Sequence, residues 1–221
     1  ERVSVFTLES VPRRAPVRSL TIGKETGCGG GSCPRILYLT EDAELLRRQL
    51  AGEELAFDPE RKLIDNISTD EITPAWVCFY YDDTLGRYSL VGLRSGVIER
   101  DAIKRGGFDV IVSGLSKGCG SSRETAPYSE LAAGVKLVIA RTIEKIYRQN
   151  AQNIGLLTST DFELLPRIAR GEAIPIEEFT RGLDPISAEI VSLSSLSWTL
   201  SCRLLNRKMF CLTPRRCFSS S

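Results

Sequence analysis

The residues with the most chemical potential lie side by side: Gly118-Cys119-Gly120-Ser121-Ser122-Arg123-Glu124. They follow an apolar run, Phe108-Asp109-Val110-Ile111-Val112, and a serine- and glycine-rich turn that begins at Ser113. They precede a stretch of helical character, 125–133. A turn from a buried strand into a helix leaves backbone N–H groups free at the helix start, and these favour an anion. Ligands of α/β sheets bind at such carboxyl ends of strands. The glycines let a ligand approach the backbone, and Arg123 can hold a carboxylate through two parallel hydrogen bonds. Ser121 and Ser122 can bind a substrate oxygen or, deprotonated, serve as base or nucleophile. The same residues also make a tight turn with a serine capping the helix and the arginine on the surface, and spacing alone does not choose between the two. A phosphate-binding P-loop is not indicated, because the G-K-[ST] ending is missing.

Composition narrows the chemistry. The 221 residues contain no histidine, which excludes Ser-His-Asp and Cys-His catalysis and any imidazole metal site in this chain. The seven cysteines, Cys28, Cys33, Cys78, Cys119, Cys202, Cys211 and Cys217, are odd in number and irregular in spacing, with no apolar secretion signal ahead of them. A reduced, cytoplasmic thiol set is the expectation. A net charge of +1 gives no reason to expect nucleic acid or a membrane surface as partner. No apolar run is long enough to span a bilayer. The basic stretch 13–18 is offset by Glu1 and Glu9, which argues against a transit peptide, and without an initial Met residue 1 is expected to be a processed or artificial end.

The elements that must position the turn follow from periodicity. Arg35 to Thr40 reads as a strand, and 41–50 as a helix with Thr40 as its N-cap, ended by Gly52. Residues 63–73 read as strand and loop, and 77–81 as an aromatic strand containing Cys78. Beyond the Phe108–Val112 strand come a helix over 125–133 closed by Gly134, a strand at 136–140, a helix over 142–150 and a strand at 156–158. A last helix covers 162–170, where Pro166 is an obstacle. Strand, helix, strand, helix, strand is an α/β layer with parallel strands. Residues 1–34 hold the glycine-rich Gly27–Cys33 and read as a flexible extension, whose Cys28 and Cys33 could bind metal or form a disulfide. Residues 191–221 form an atypical Ser/Cys/Arg-rich tail, either a basic arm for an acidic partner or an end without function.

The signature turn resembles the G-x-G-S-S-R-E motif of the aconitase superfamily. That motif belongs to the swivel domain shared by aconitase, homoaconitase and the small subunit of 3-isopropylmalate dehydratase. Asp65-Asn66-Ile67-Ser68-Thr69-Asp70-Glu71-Ile72-Thr73-Pro74 is similar to the family's N-I-D-T-D-x-I-x-P entry loop. Lys136 to Tyr147 resembles its strand followed by A-x-S-F-A-x-I-(Y/F), and Asn150 to Leu157 its N-x-x-x-x-G-L-L segment. The resemblance runs from about Leu63 to Ile190. Thr125 stands where the family usually has histidine.

This resemblance implies an α/β fold of the aconitase swivelling β/β/α type, parallel strands flanked by helices, over residues 35–190. It implies a hydro-lyase of the 3-isopropylmalate dehydratase type, which relocates a hydroxyl on a hydroxy-polycarboxylic acid by dehydration and rehydration. Ser121 falls at the family's base. Ser122 and Arg123 fall at its carboxylate-binding positions, with Asp70 and Thr73 in the loop facing the substrate. The family's second carboxylate-binding arginine has Arg87 and Arg94 as nearest candidates. The expected partners are a di- or tricarboxylate and a large subunit or domain bearing a [4Fe–4S] cluster, for which this chain offers no converging cysteines. A truncated, non-catalytic swivel fragment and a carboxylate-binding module without activity are the alternatives.

Overall fold

The computed structural model describes residues 19–20, 34–80 and 82–192. The Cys28–Cys33 pair, most of the N-terminal extension and the basic tail beyond 192 lie outside the described residues.

Short strands of three or four residues, most of them apolar, build the sheet. Strands β2 (Ile36–Tyr38), β3 (Val110–Ser113), β4 (Leu137–Ala140) and β5 (Leu157–Ser159) lie in that order, all parallel. Val110 pairs with Leu137, and Leu137 with Leu157. A short β1 (Ser19–Leu20) pairs antiparallel with β6 (Ile174–Pro175), so the expected extension contributes a strand.

Alternation along each strand divides the core. Leu37, Ile111 and Val138 face one layer, which contains α1 (Ala43–Leu50), α4 (Thr125–Ala132) and α5 (Lys145–Ile154) through Leu46, Ala126, Tyr147 and Ala151. Tyr38, Val110, Val112, Leu137 and Ile139 face the other. That layer holds α6 (Leu164–Ala169), α7 (Glu177–Thr180) and a helical stretch at 185–192. Parallel strands in sequential order, joined by crossovers of one hand, require their helices on a single face, and α4 and α5 lie there together. The edge strand β2 is protected by buried Gln49 of α1. Its amide accepts from Tyr38 N at 2.8 Å and donates to Tyr38 O at 2.9 Å, as a neighbouring strand would.

Several local expectations are corrected. The N-cap of α1 is Asp42, whose carboxylate accepts from the Glu44 and Leu45 amides, while Thr40 is occupied in a bridge to Leu63. Residues 63–73 form no regular strand; they contain the single-turn helix α2 (Thr69–Ile72). The described part of the next stretch, 77–80, is no strand either. It follows a 3-10 turn, Ala75–Val77, in which only Val77 is buried, and Trp76 and Phe79 face solvent. Its aromatic content mimicked a strand, but the sheet offers it no edge. A second 3-10 segment, Asp83–Tyr88, and α3 (Ala102–Gly106) lead to β3. Helix α5 begins at Lys145 because 142–144 run extended beside Lys117. Pro166 is the third residue of α6, where no intrahelical N–H bond is required. No helix among the described residues is long and apolar enough to cross a membrane.

Candidate active site

The signature turn leaves β3 and enters α4. Gly118 (φ +82°) and Gly120 (φ +89°) take the left-handed conformation that it needs. A Cβ on Gly118 would also lie 2.4 Å from Cβ of Tyr147, so only glycine lets the turn rest on that ring. The amides from Ser121 to Thr125 make no hydrogen bond within the described residues, and Glu124 caps α4 without a side-chain bond. The donors expected at this helix start are therefore free to receive an anion.

The loop 65–73 is laced to the turn. Gly118 N donates to Ile67 O at 2.8 Å, Thr69 N to Cys119 O at 2.9 Å, and Ser68 bridges Cys119 in parallel. Asp65 Oδ1 accepts from Leu115 N at 2.6 Å. Helix α2 starts at a capping box: Ser68 Oγ accepts from Glu71 N at 3.2 Å, and the Glu71 carboxylate accepts from Ser68 N at 2.9 Å. Arg94 grips the same carboxylate from Nε at 2.8 Å and donates to Asn66 O. Burial alone would raise the Glu71 carboxyl, but bonds from Arg94 and the Ser68 amide outweigh it and hold it at about 2.

Ser121, Ser122 and Arg123 come together around a cavity of about 280 Å³, lined also by Thr69, Lys145 and Tyr147. Larger hollows elsewhere, such as the one of about 610 Å³ between α1 and α3, contain none of these residues. Both serines are exposed. Arg123 Nη1 is held 2.6 Å from Asp70 Oδ1 and donates to Thr73 O at 2.9 Å, so the guanidinium is held in place by the α2 loop. Thr73, expected in the loop facing the substrate, reaches Arg123 through its backbone. Its hydroxyl is buried and donates to Ser129 Oγ at 2.9 Å, leaving only its carbonyl to touch Arg123. Arg87 and Arg94 are likewise committed elsewhere, Arg87 to Asp101 through two hydrogen bonds and Arg94 to Glu71.

Thr69 escaped the sequence reading. It is 2% exposed, donates to Ser121 O at 2.8 Å and sits 3.1 Å from Ser121 Oγ. Only its place in the N-I-S-T-D segment pointed toward it. Beneath the turn, Lys117 and Glu130 form an ion pair of 2.8 Å with both side chains fully buried, and Tyr147 OH donates to the second Glu130 oxygen. Burial, reinforced by the Glu130 charge, pushes the Tyr147 phenol well above its usual range. Cys119 lies within the turn and Cys78 against Thr73 O and Thr125, both as free thiols. Among the described residues no three Cys, Asp or Glu side chains converge as metal ligands, so these residues do not fit an iron–sulfur cluster.

A sequence model of the aconitase C-terminal domain matches residues 97–161, which span β3 to β5 and the whole signature turn. The 3-isopropylmalate dehydratase small subunit of Nitratidesulfovibrio vulgaris is 38% identical over 117 residues, 52% of this chain and 68% of that one. That of Syntrophus aciditrophicus is 38% identical over 117 residues, covering 52% and 69%. A crystal structure of 3-isopropylmalate dehydratase from Methanocaldococcus jannaschii aligns with a TM-score of 0.42 at 24% identity, over 66% of this chain and 92% of that one. By its parallel sheet, its signature turn and this degree of identity, the chain belongs to the family of 3-isopropylmalate dehydratase small subunits.

Proposed function

We propose that this chain is the swivel component of a hydro-lyase that isomerises a hydroxy-polycarboxylic acid, 3-isopropylmalate first among the candidates, with residues 35–190 as the swivel unit. Ser121 is the base. As an alkoxide it takes the proton from the carbon beside a carboxylate, and the C–H electron pair forms the double bond as the neighbouring hydroxyl departs. In rehydration it returns the proton. The unpaired amides at the start of α4 and the charge of Arg123 favour the alkoxide over its ordinary, much weaker acidity. Ser122 and Arg123 hold the substrate carboxylate. Asp70 keeps Arg123 oriented until the substrate competes for it. Thr73 acts through its carbonyl on Arg123 rather than as a ligand of the substrate.

We place the [4Fe–4S] cluster on a large partner subunit, where it would supply a Lewis acid for the hydroxyl. The name of the relatives, small subunit, supports such a partner. Free Cys78 and Cys119 suit a reducing cytoplasm, and neither nucleic acid nor a membrane enters this reading.

The observation that carries the proposal is the meeting of Ser121 and Arg123 at the free amides of α4, with the Thr69–Asp70 helix docked on both. The experiment is Ser121→Ala in the complex reconstituted with its large subunit. Turnover of 3-isopropylmalate is expected to disappear while the complex still co-elutes. Turnover at the parental rate would refute the assignment of the base.

A further inference from the structure

We propose that Thr69 is a positioning residue for Ser121, fixing its side chain and moving a hydrogen bond between the Ser121 carbonyl and Ser121 Oγ as the serine gains or loses its proton. The inference rests on the reading of Ser121 as the base.

A threonine hydroxyl has one proton and two lone pairs. Thr69 Oγ1 stands 2.8 Å from Ser121 O and 3.1 Å from Ser121 Oγ. With Ser121 protonated, Thr69 donates to the carbonyl and accepts from Ser121 Oγ–H, so both hydroxyls are satisfied. An alkoxide can only accept. A turn of the Thr69 O–H bond, with no movement of heavy atoms, then brings its proton from the carbonyl to Oγ. A hydrogen bond to an ionised acceptor is about twice as strong as a neutral one, so the alkoxide wins that competition. The carbonyl accepts again when the proton returns.

Thr69 is built to stay in place. It is 2% exposed, its amide is bound to Cys119 O at 2.9 Å, and the capping box fixes the residue before it. Its β-branched side chain has few rotamers to explore. No other side chain among the described residues is hydrogen-bonded to Ser121 Oγ. Ser121 is otherwise an exposed residue on a glycine-flanked turn, which has no means of its own to hold one rotamer.

The test uses the complex with the large subunit and 3-isopropylmalate as probe. Thr69→Val keeps the shape and removes the hydroxyl. It is expected to lower kcat about 10- to 100-fold, the loss of one hydrogen bond to a charged group, while KM changes little. The acid limb of the pH–rate profile moves to higher pH, because a less stabilised alkoxide gives Ser121 a higher pKa. Thr69→Ser, which retains the hydroxyl, restores most of kcat and the parental limb. Should Thr69→Val fail to assemble, Thr69→Ala is read in the same way. Parental kcat and an unshifted profile in Thr69→Val, with Ser121→Ala inactive, overturn this inference alone. Equal losses in the Val and Ser variants overturn it too, since packing and not the hydroxyl would then matter. Full turnover by Ser121→Ala instead overturns the base assignment on which it rests.

Discussion

Lys117 immediately precedes Gly118, and its ammonium lies fully buried against Glu130, with the Tyr147 ring centroid 6.0 Å away. The pair supports the turn from below: Glu130 belongs to α4, Tyr147 to α5, and Gly118 rests on Tyr147. Burying two charges is costly, and removing one of them strands the other. Lys117→Met is therefore expected to cost about 3 to 5 kcal/mol, read from the urea midpoint at constant m-value. Replacing the group with Lys117→Met, Glu130→Leu and Tyr147→Phe together should recover most of that loss, since no polar atom is then left unpaired. A single-variant cost below about 1 kcal/mol would show that the pair is solvated after all. Ser121, Ser122 and Arg123 were legible in the sequence because they are consecutive. Lys117, Glu130, Tyr147 and Thr69 were not. Thr69 and Ser121 are 52 residues apart, and a lysine in a glycine-rich turn reads as a solvated surface residue. Thr73 shows a second limit of a sequence reading: a loop position does not say where the hydroxyl goes, and this one donates to Ser129 Oγ.

Helix α2 is one turn long and would not hold by itself. The Ser68–Glu71 capping box and Arg94 hold it, and it carries Thr69 and Asp70 to the signature turn. The depressed Glu71 carboxyl makes this a pH-dependent element. A group held at about 2 against an ordinary 4.5 adds stability that is fully present above pH 4.5 and is lost as pH falls toward 2. Arg94 is half exposed, so solvent screening limits the contribution to about 1 to 2 kcal/mol. Glu71→Gln is expected to lose that amount near neutrality and to abolish its share of the acid sensitivity, as followed by thermal melts from pH 7 to pH 2. A parental slope over this interval in the variant would place the acid sensitivity elsewhere. The elements that were legible, β3, α4, β4, α5 and β5, have apolar runs or helical periods long enough to declare themselves. The four residues of α2 make a single turn, too short for a period to repeat, and the described stretch 77–80 has strand-forming residues without a strand to pair with among the described residues.

At the scale of the whole molecule the decisive fact is that, among the described residues, the site is open. Ser121 and Ser122 are exposed beside the cavity that they line with Arg123. A serine in bulk water is too weak an acid to supply an alkoxide; fixed donors gain their full value only where water is excluded. The three-layer fold supplies those donors in a rigid frame, with the turn fixed to β3, α4 and α5, but the described residues do not cover them. Nor do the described residues converge on a metal. On the proposed reading both would come from the large subunit, whose surface would cover the α4 start and carry the cluster. The isolated chain is accordingly expected to turn over no 3-isopropylmalate and, after anaerobic incubation with iron and sulfide, to develop no cluster absorbance. Titrating in a cluster-loaded large subunit should restore activity up to equimolar complex and no further. A stable cluster on this chain alone, or turnover without the partner, would contradict the division of labour between a base-bearing half and a metal-bearing half.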